Sequence, residues 1–129
     1  MITTRDLIDI GLREDIGPGD ITTDNLVDAE ISGRGIIIAK EPLILTGLQV
    51  ARQVFQQLDA DTRAVSDFED GASIEQGQTV LTLEGRLSVL LKGERTALNF
   101  LQRLSGIATH VRRHVEVLGN RPVRLVDTR

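Results

Sequence analysis

Glu94-Arg95-Thr96-Ala97-Leu98-Asn99-Phe100-Leu101-Gln102-Arg103-Leu104-Ser105-Gly106 is the stretch on which the fold turns. After Gly93 the apolar positions Leu101, Leu104, Ala108, Val111, Val115 and Leu118 recur every three or four residues. That period predicts a long helix with one narrow buried seam, stopped at Gly119-Asn120. Set after Gly93, the helix carries Arg95 in its first turn. Ser105 and Gly106 fall in its middle, where glycine costs roughly 1 kcal/mol relative to alanine. Small residues there are expected to let another backbone approach. Beyond the helix, Pro122 opens Val123-Arg124-Leu125-Val126, expected as a strand, and Thr128 and Arg129 lie just past it.

Working back toward the N-terminus, Thr3 to Asp15 reads as a helix, with Thr3 or Thr4 as N-cap and Leu7, Ile8 and Leu12 at helical spacing. It is expected to end at Ile16-Gly17-Pro18-Gly19-Asp20, and Asp20-Ile21-Thr22-Thr23-Asp24 offers several side-chain caps for the next element. The β-branched run within Ser32 to Lys40 predicts a strand buried on both faces. Gly47 to Leu58 returns to helical period through Leu48, Ala51, Val54, Phe55 and Leu58, so a sheet covered by helix on one face is expected. Thr62 to Leu91, punctuated by Gly71, Gly77 and Gly85, reads as a compact hairpin unit in which Val80 and the pair Leu81, Leu83 face opposite sides. No internal repeat, low-complexity tract or linker interrupts the chain.

Composition bounds these readings. With 129 residues and 40% hydrophobic content, one main domain is the default. The longest apolar runs are far short of a membrane span, and Asp6 and Asp9 interrupt what would be the apolar region of a leader. A soluble, cytoplasmic protein with no membrane partner is expected. The absence of cysteine excludes disulfides, zinc ribbons and thiol nucleophiles, and a net charge of -4 argues against a nucleic-acid partner. Thirteen of the 15 basic residues are arginine, Lys40 and Lys92 being the two lysines. Arginine presents a planar fork suited to carboxylate and phosphate, although a high-GC genome gives the same arginine-rich bias.

Arg95 is the first candidate site residue. A cation in the first turn of a helix opposes the macrodipole by about 0.3 to 1 kcal/mol, and an anion held jointly by Arg95 and the terminal amides would offset this. A solvated arginine or a surface ion pair is the alternative. Thr128 and Arg129 are the second candidates, because side chains at the carboxyl ends of strands line ligand sites in parallel sheets and barrels; a frayed end is the alternative. His110 and His114 share a helical face at zinc-like spacing, but Arg112 and Arg113 intervene and no third ligand accompanies them. Asp70-Gly71-Ala72-Ser73-Ile74-Glu75-Gln76-Gly77-Gln78-Thr79-Val80-Leu81 looks like half of a lipoyl- or biotinyl-type carrier module, yet neither lysine is expected near its tip.

Four segments, in order along the chain, carry a family resemblance: Glu14-Asp15-Ile16-Gly17-Pro18-Gly19-Asp20-Ile21-Thr22-Thr23, Glu94 to Gln102, Leu104-Ser105-Gly106-Ile107-Ala108-Thr109, and Leu125-Val126-Asp127-Thr128-Arg129. Together they resemble the quinolinate phosphoribosyltransferases (nicotinate-nucleotide pyrophosphorylase, carboxylating). The resemblance implies an α+β fold: an open-faced sandwich of antiparallel strands with helices on one face, then a long helix and the first strand of an incomplete α/β barrel. It divides the chain into an N-terminal sandwich domain, residues 1–107, and the start of a C-terminal barrel, residues 108–129. It further implies a homodimer in which Arg95 reaches into the partner's barrel to contact quinolinate, with Thr128 and Arg129 binding substrate at the end of the first barrel strand.

The implied reaction joins quinolinate to phosphoribosyl pyrophosphate, with magnesium, and releases nicotinate mononucleotide, pyrophosphate and carbon dioxide in NAD biosynthesis. Family members continue well past Arg129, where the expected lysine and the phosphate and magnesium ligands lie. The chain is therefore expected to be a truncated N-terminal part, inactive alone, with no catalytic residue and no metal ligand of its own. Molybdenum-associated relatives share the fold and much of the motif set and remain an alternative, as does a stand-alone dimerisation or binding module.

Overall fold

The structure, a computed structural model, describes residues 1–18, 27, 28, 30–126 and 128. Helix α1 spans Thr4–Ile16, strand β1 Ser32–Ile38, β2 Leu43–Ile44, helix α2 Leu48–Leu58, β3 Arg63–Val65, β4 Ser73–Ile74, β5 Thr79–Arg86 and helix α3 Leu87–Leu118. The fold is α+β. Strands β1, β5 and β3 form one antiparallel sheet with β5 central, and β2 pairs antiparallel with β4 in a second. The region 62–91 is thus not a single hairpin unit, since β4 leaves it to pair with β2. The caps expected from Asp20 to Asp24 lie outside the described residues.

Thr3 is the N-cap of α1. Its hydroxyl accepts from the Asp6 amide at 3.2 Å while the Asp6 carboxylate accepts from the Thr3 amide at 2.7 Å, a reciprocal capping box. The bond from the Thr3 backbone foremost, and a second that the Thr3 hydroxyl donates to the same carboxylate at 2.7 Å, hold the Asp6 carboxyl's pKa below its ordinary value. Ile8 and Leu12, one turn apart, are the buried face of α1. On α2 the predicted positions Leu48, Ala51, Val54 and Phe55 are buried, and the fifth, Leu58, is half-buried. The amides that open α2 are capped from a distance, Gly47 and Leu48 each donating at 3.0 Å to one oxygen of Asp70. Arg86 donates to Asp59 at 2.8 Å, tying the end of α2 to the start of α3 and lowering the Asp59 carboxyl's affinity for its proton.

Strand β1 alternates between exposed and half-buried residues, with Ile36 53% exposed, so it is not buried on both faces. Helices cover one side of the sheet, and its other side is open. The register slips between Ile37 and Ile38, leaving Val80 as an extra residue in β5. This bulge turns Val80 inward, so it is buried together with Leu81 rather than on the opposite side.

Helix α3 begins at Leu87, not after Gly93. No side-chain cap announces that start; instead the Leu87 amide donates to the Ile31 carbonyl at 2.8 Å, a partner remote in sequence. Gly93 is an interior helical residue buried against α2. A Cβ there would stand 2.7 Å from Phe55 Cδ1, and a Cβ on Gly47 would stand 2.8 Å from Leu104 Cδ1. The two close contacts pair the C-terminal part of α2 with the early turns of α3 and its N-terminus with the middle of α3, so the helices run antiparallel. Past Thr109 the expected seam opens: Val111 is 44% and Val115 48% exposed. Residues 123–126 are exposed and lie in no strand, because no described strand pairs with them.

Gly93→Ala is expected to destabilise the chain by about 1–3 kcal/mol, because the buried Phe55 ring cannot yield. Gly106→Ala, exposed in mid-helix with nothing within 4 Å of the added atom, is expected to stabilise it by up to ~1 kcal/mol. Urea midpoints of the two variants moving the same way would contradict this assignment.

Candidate functional site

A groove of about 550 Å³ runs between the middle of α3 and the segment that links β1 to β2. Its floor is apolar, from Ile37, Leu43, Leu45, Val80, Leu98 and Leu101, and Lys40, Gln102, His110 and Arg113 stand at its polar margin. Two hydroxyls fix its width. The Ile44 amide donates to Thr109 Oγ1 at 2.8 Å and the Thr46 amide donates to Ser105 Oγ at 3.0 Å. Thr109 in turn donates to the Ser105 carbonyl at 2.7 Å, and Ser105 to the Thr46 carbonyl at 3.2 Å. Residues one turn apart on a helix thereby meet backbone donors two apart on an extended segment, and α3 serves β2 in place of a neighbouring strand.

Ser105 is therefore where a second backbone approaches α3, as its small size suggested, whereas Gly106 meets no atom and borders the groove. The sequence did not mark Thr109 as a ligand of β2; a hydroxyl four residues after Ser105 was the available sign.

Arg95 is exposed and sits eight residues past Leu87, in the third turn of α3, so it does not belong to a helix N-terminus. This geometry removes the helix dipole as a reason for an anion at Arg95. Its position on the wheel relates it instead to the groove. Gln102, Gly106 and Arg113 lie within about 20° of Arg95 around the helix axis, and all three line the groove. Arg95 thus continues the groove-facing stripe, roughly 10 Å beyond Gln102. No ion pair joins it to another described residue.

Thr128 is exposed past the far end of the same helix, and Arg129 lies outside the described residues. From Arg95 to Leu118 runs roughly 35 Å of continuous helix, and residues 119–126 beyond it are all exposed. His114 Nδ1 donates to the His110 carbonyl at 2.9 Å within the helix. Among the described residues no three His, Cys, Asp or Glu side chains gather as a metal site requires, and no residue here is assigned to magnesium. No described helix is long and apolar enough to cross a membrane. Lys40 comes beside the turn 75–78, since Ala39 bonds to both Gly77 and Gln78, which its sequence distance concealed; it lies in the β1–β2 link, not at the turn's apex.

The family described as "Quinolinate phosphoribosyl transferase, N-terminal domain" matches residues 20–105. The chain belongs to this family. It is 37% identical over 116 residues to the probable nicotinate-nucleotide pyrophosphorylase [carboxylating] of Bacillus subtilis, covering 90% of this chain and 40% of that protein. The corresponding protein of Synechocystis is 40% identical over 118 residues, 92% of this chain and 40% of its own length. The crystal structure of NadC from Streptococcus pyogenes superimposes with a TM-score of 0.94 at 36% identity, covering all of this chain and 47% of that one. The chain thus spans less than half the length of these relatives. The Streptococcus pyogenes structure shares this fold over the whole of the present chain, so the groove and the Arg95 stripe sit on a scaffold common to the two.

Thr109→Val keeps the shape of the side chain and removes the acceptor for the Ile44 amide, leaving a part-buried donor unpaired at a cost of about 1–3 kcal/mol. Hydrogen exchange is expected to accelerate at Ile44 more than at Thr46, which Ser105 still holds; equal protection in both forms would contradict the clamp.

Proposed function

We propose that this chain is the N-terminal part of a quinolinate phosphoribosyltransferase, an enzyme that makes nicotinate mononucleotide, pyrophosphate and carbon dioxide from quinolinate and phosphoribosyl pyrophosphate. Its place is NAD biosynthesis in the cytoplasm. The observation that carries the reading is Arg95: exposed, joined to no described carboxylate, and aligned with a groove-facing stripe on a helix of this family.

Quinolinate is a dianion, and its ring nitrogen must be brought to the ribose carbon against the charge of the pyrophosphate. An arginine fork that takes a carboxylate with charge-assisted hydrogen bonds supplies both affinity and orientation. Thr128 and Arg129 contact the same substrate in this reading. The roughly 35 Å of helix between Arg95 and the end of α3, with Thr128 past that end, supports a site assembled from two chains, with Arg95 donated by one protomer of a homodimer and Thr128 and Arg129 by the other. Magnesium, when bound with the ribosyl donor, neutralises the departing pyrophosphate; its ligands are sought outside this chain. In this reading residues 1–107 form the sandwich domain and residues 108–129 begin the barrel domain, with α3 running unbroken from one into the other.

In the complete enzyme Arg95→Ala is expected to raise KM for quinolinate roughly 10- to 100-fold, the equivalent of one charge-assisted hydrogen bond, and to leave KM for the ribosyl donor within about twofold. Equal effects on the two substrates would remove the carboxylate role. The purified 129-residue chain is expected to form no nicotinate mononucleotide with magnesium and both substrates; turnover by it would overturn the reading of it as a partial site.

A further inference from the structure

Thr96 uses both branches of its side chain. The hydroxyl donates to Asp15 Oδ2 at 2.5 Å, and the methyl lies where a Cβ on Gly11 would come within 3.1 Å of it. Gly11 and Asp15 are one turn apart on α1, so a single turn of that helix grips a single residue of α3. Thr96 is 2% exposed, whereas Asp15 is half-buried. The base of the grip is fixed as well, since Gln57 on α2 donates to Asp9 on α1.

The gripped residue is the neighbour of Arg95. Successive helical residues differ by about 100° around the axis, so holding Thr96 inward sets the direction in which Arg95 leaves the helix. Packing alone does not require the hydroxyl, because valine has the same shape and fills the contact with Gly11 without desolvating a polar group. What the hydroxyl adds is direction: it fixes the phase of this turn of α3 against α1.

We propose that Asp15 and Thr96 are positioning residues for Arg95, holding its turn of α3 so that the guanidinium meets a dicarboxylate substrate at a set angle. The inference rests on the reading of Arg95 as a quinolinate contact. Thr96→Val and Asp15→Ala delete the same hydrogen bond from opposite ends, the first without changing shape and the second at a part-exposed position that tolerates truncation.

The test is steady-state kinetics of the complete enzyme carrying Thr96→Val, Asp15→Ala, Thr96→Ser, Arg95→Ala, and Thr96→Val combined with Arg95→Ala. Each deletion is expected to raise KM for quinolinate about 3- to 10-fold, with kcat and KM for the ribosyl donor within about twofold. Thr96→Ser, which keeps the donor, is expected to restore wild-type KM. In the Arg95→Ala background Thr96→Val is expected to add nothing, because it acts through Arg95. A quinolinate KM that responds to Arg95→Ala but to neither deletion overturns the positioning role alone, as does a Thr96→Val effect that persists in full without Arg95. Failure of Arg95→Ala to change that KM overturns the substrate reading and the positioning role with it. Should Thr96→Val prove too unstable to assay, Asp15→Ala decides between the same outcomes.

Discussion

At Gly93 the backbone of α3 touches the ring of Phe55 with no side chain between them, and the placement of the other groups on α3 depends on that contact. It brings the long helix close enough to α2 for Leu104 to seat against the backbone of Gly47, and for Ser105 and Thr109 to reach the amides of Thr46 and Ile44. A longer side chain at either glycine would wedge the helices apart, and the hydroxyl clamp, whose bonds are about 3 Å long, would open. The groove is the space left between the clamp and the bulged end of β5, where Val80 turns inward.

The parts of this architecture written in local pattern were legible. The N-cap of α1, expected at Thr3 or Thr4 and found at Thr3, and the apolar period of α2 each rest on residues within a few positions of one another. The start of α3 was not legible, because its first amide is satisfied by Ile31, far away in sequence, and because Leu87 to Leu91 is an apolar run that fits strand and helix alike. Gly93 read as a helix boundary when its role is to admit Phe55. Likewise the strand at 32–40 read as doubly buried because three isoleucines in a row give no alternation to read, while the fold covers one face only.

The earlier start of α3, seven residues before the expected one, changes what Arg95 means. At a helix N-terminus it would have been half of an anion site; in the third turn it is a long cationic side chain on a stripe shared with Gln102, Gly106 and Arg113. The sequence located the residue, and its relation to family motifs, without locating the geometry. Thr128 was placed at the end of a strand that the chain does not form by itself, and Arg129 lies outside the described residues. Arg95 lies in the third turn of α3 and Thr128 past its C-terminal end, an arrangement that suits a shared substrate site when the two come from different protomers.

Subunit mixing tests that account most directly. Complete enzymes carrying Arg95→Ala and Arg129→Ala are each prepared, shown to be nearly inactive with subsaturating quinolinate, and then dissociated and reassembled together. Donation across the dimer predicts that mixed dimers regain one intact site of two, so that random reassembly restores about a quarter of wild-type sites. Activity that stays at the level of the separate variants, in mixtures shown to contain mixed dimers, would contradict a site built from Arg95 of one protomer and Arg129 of the other.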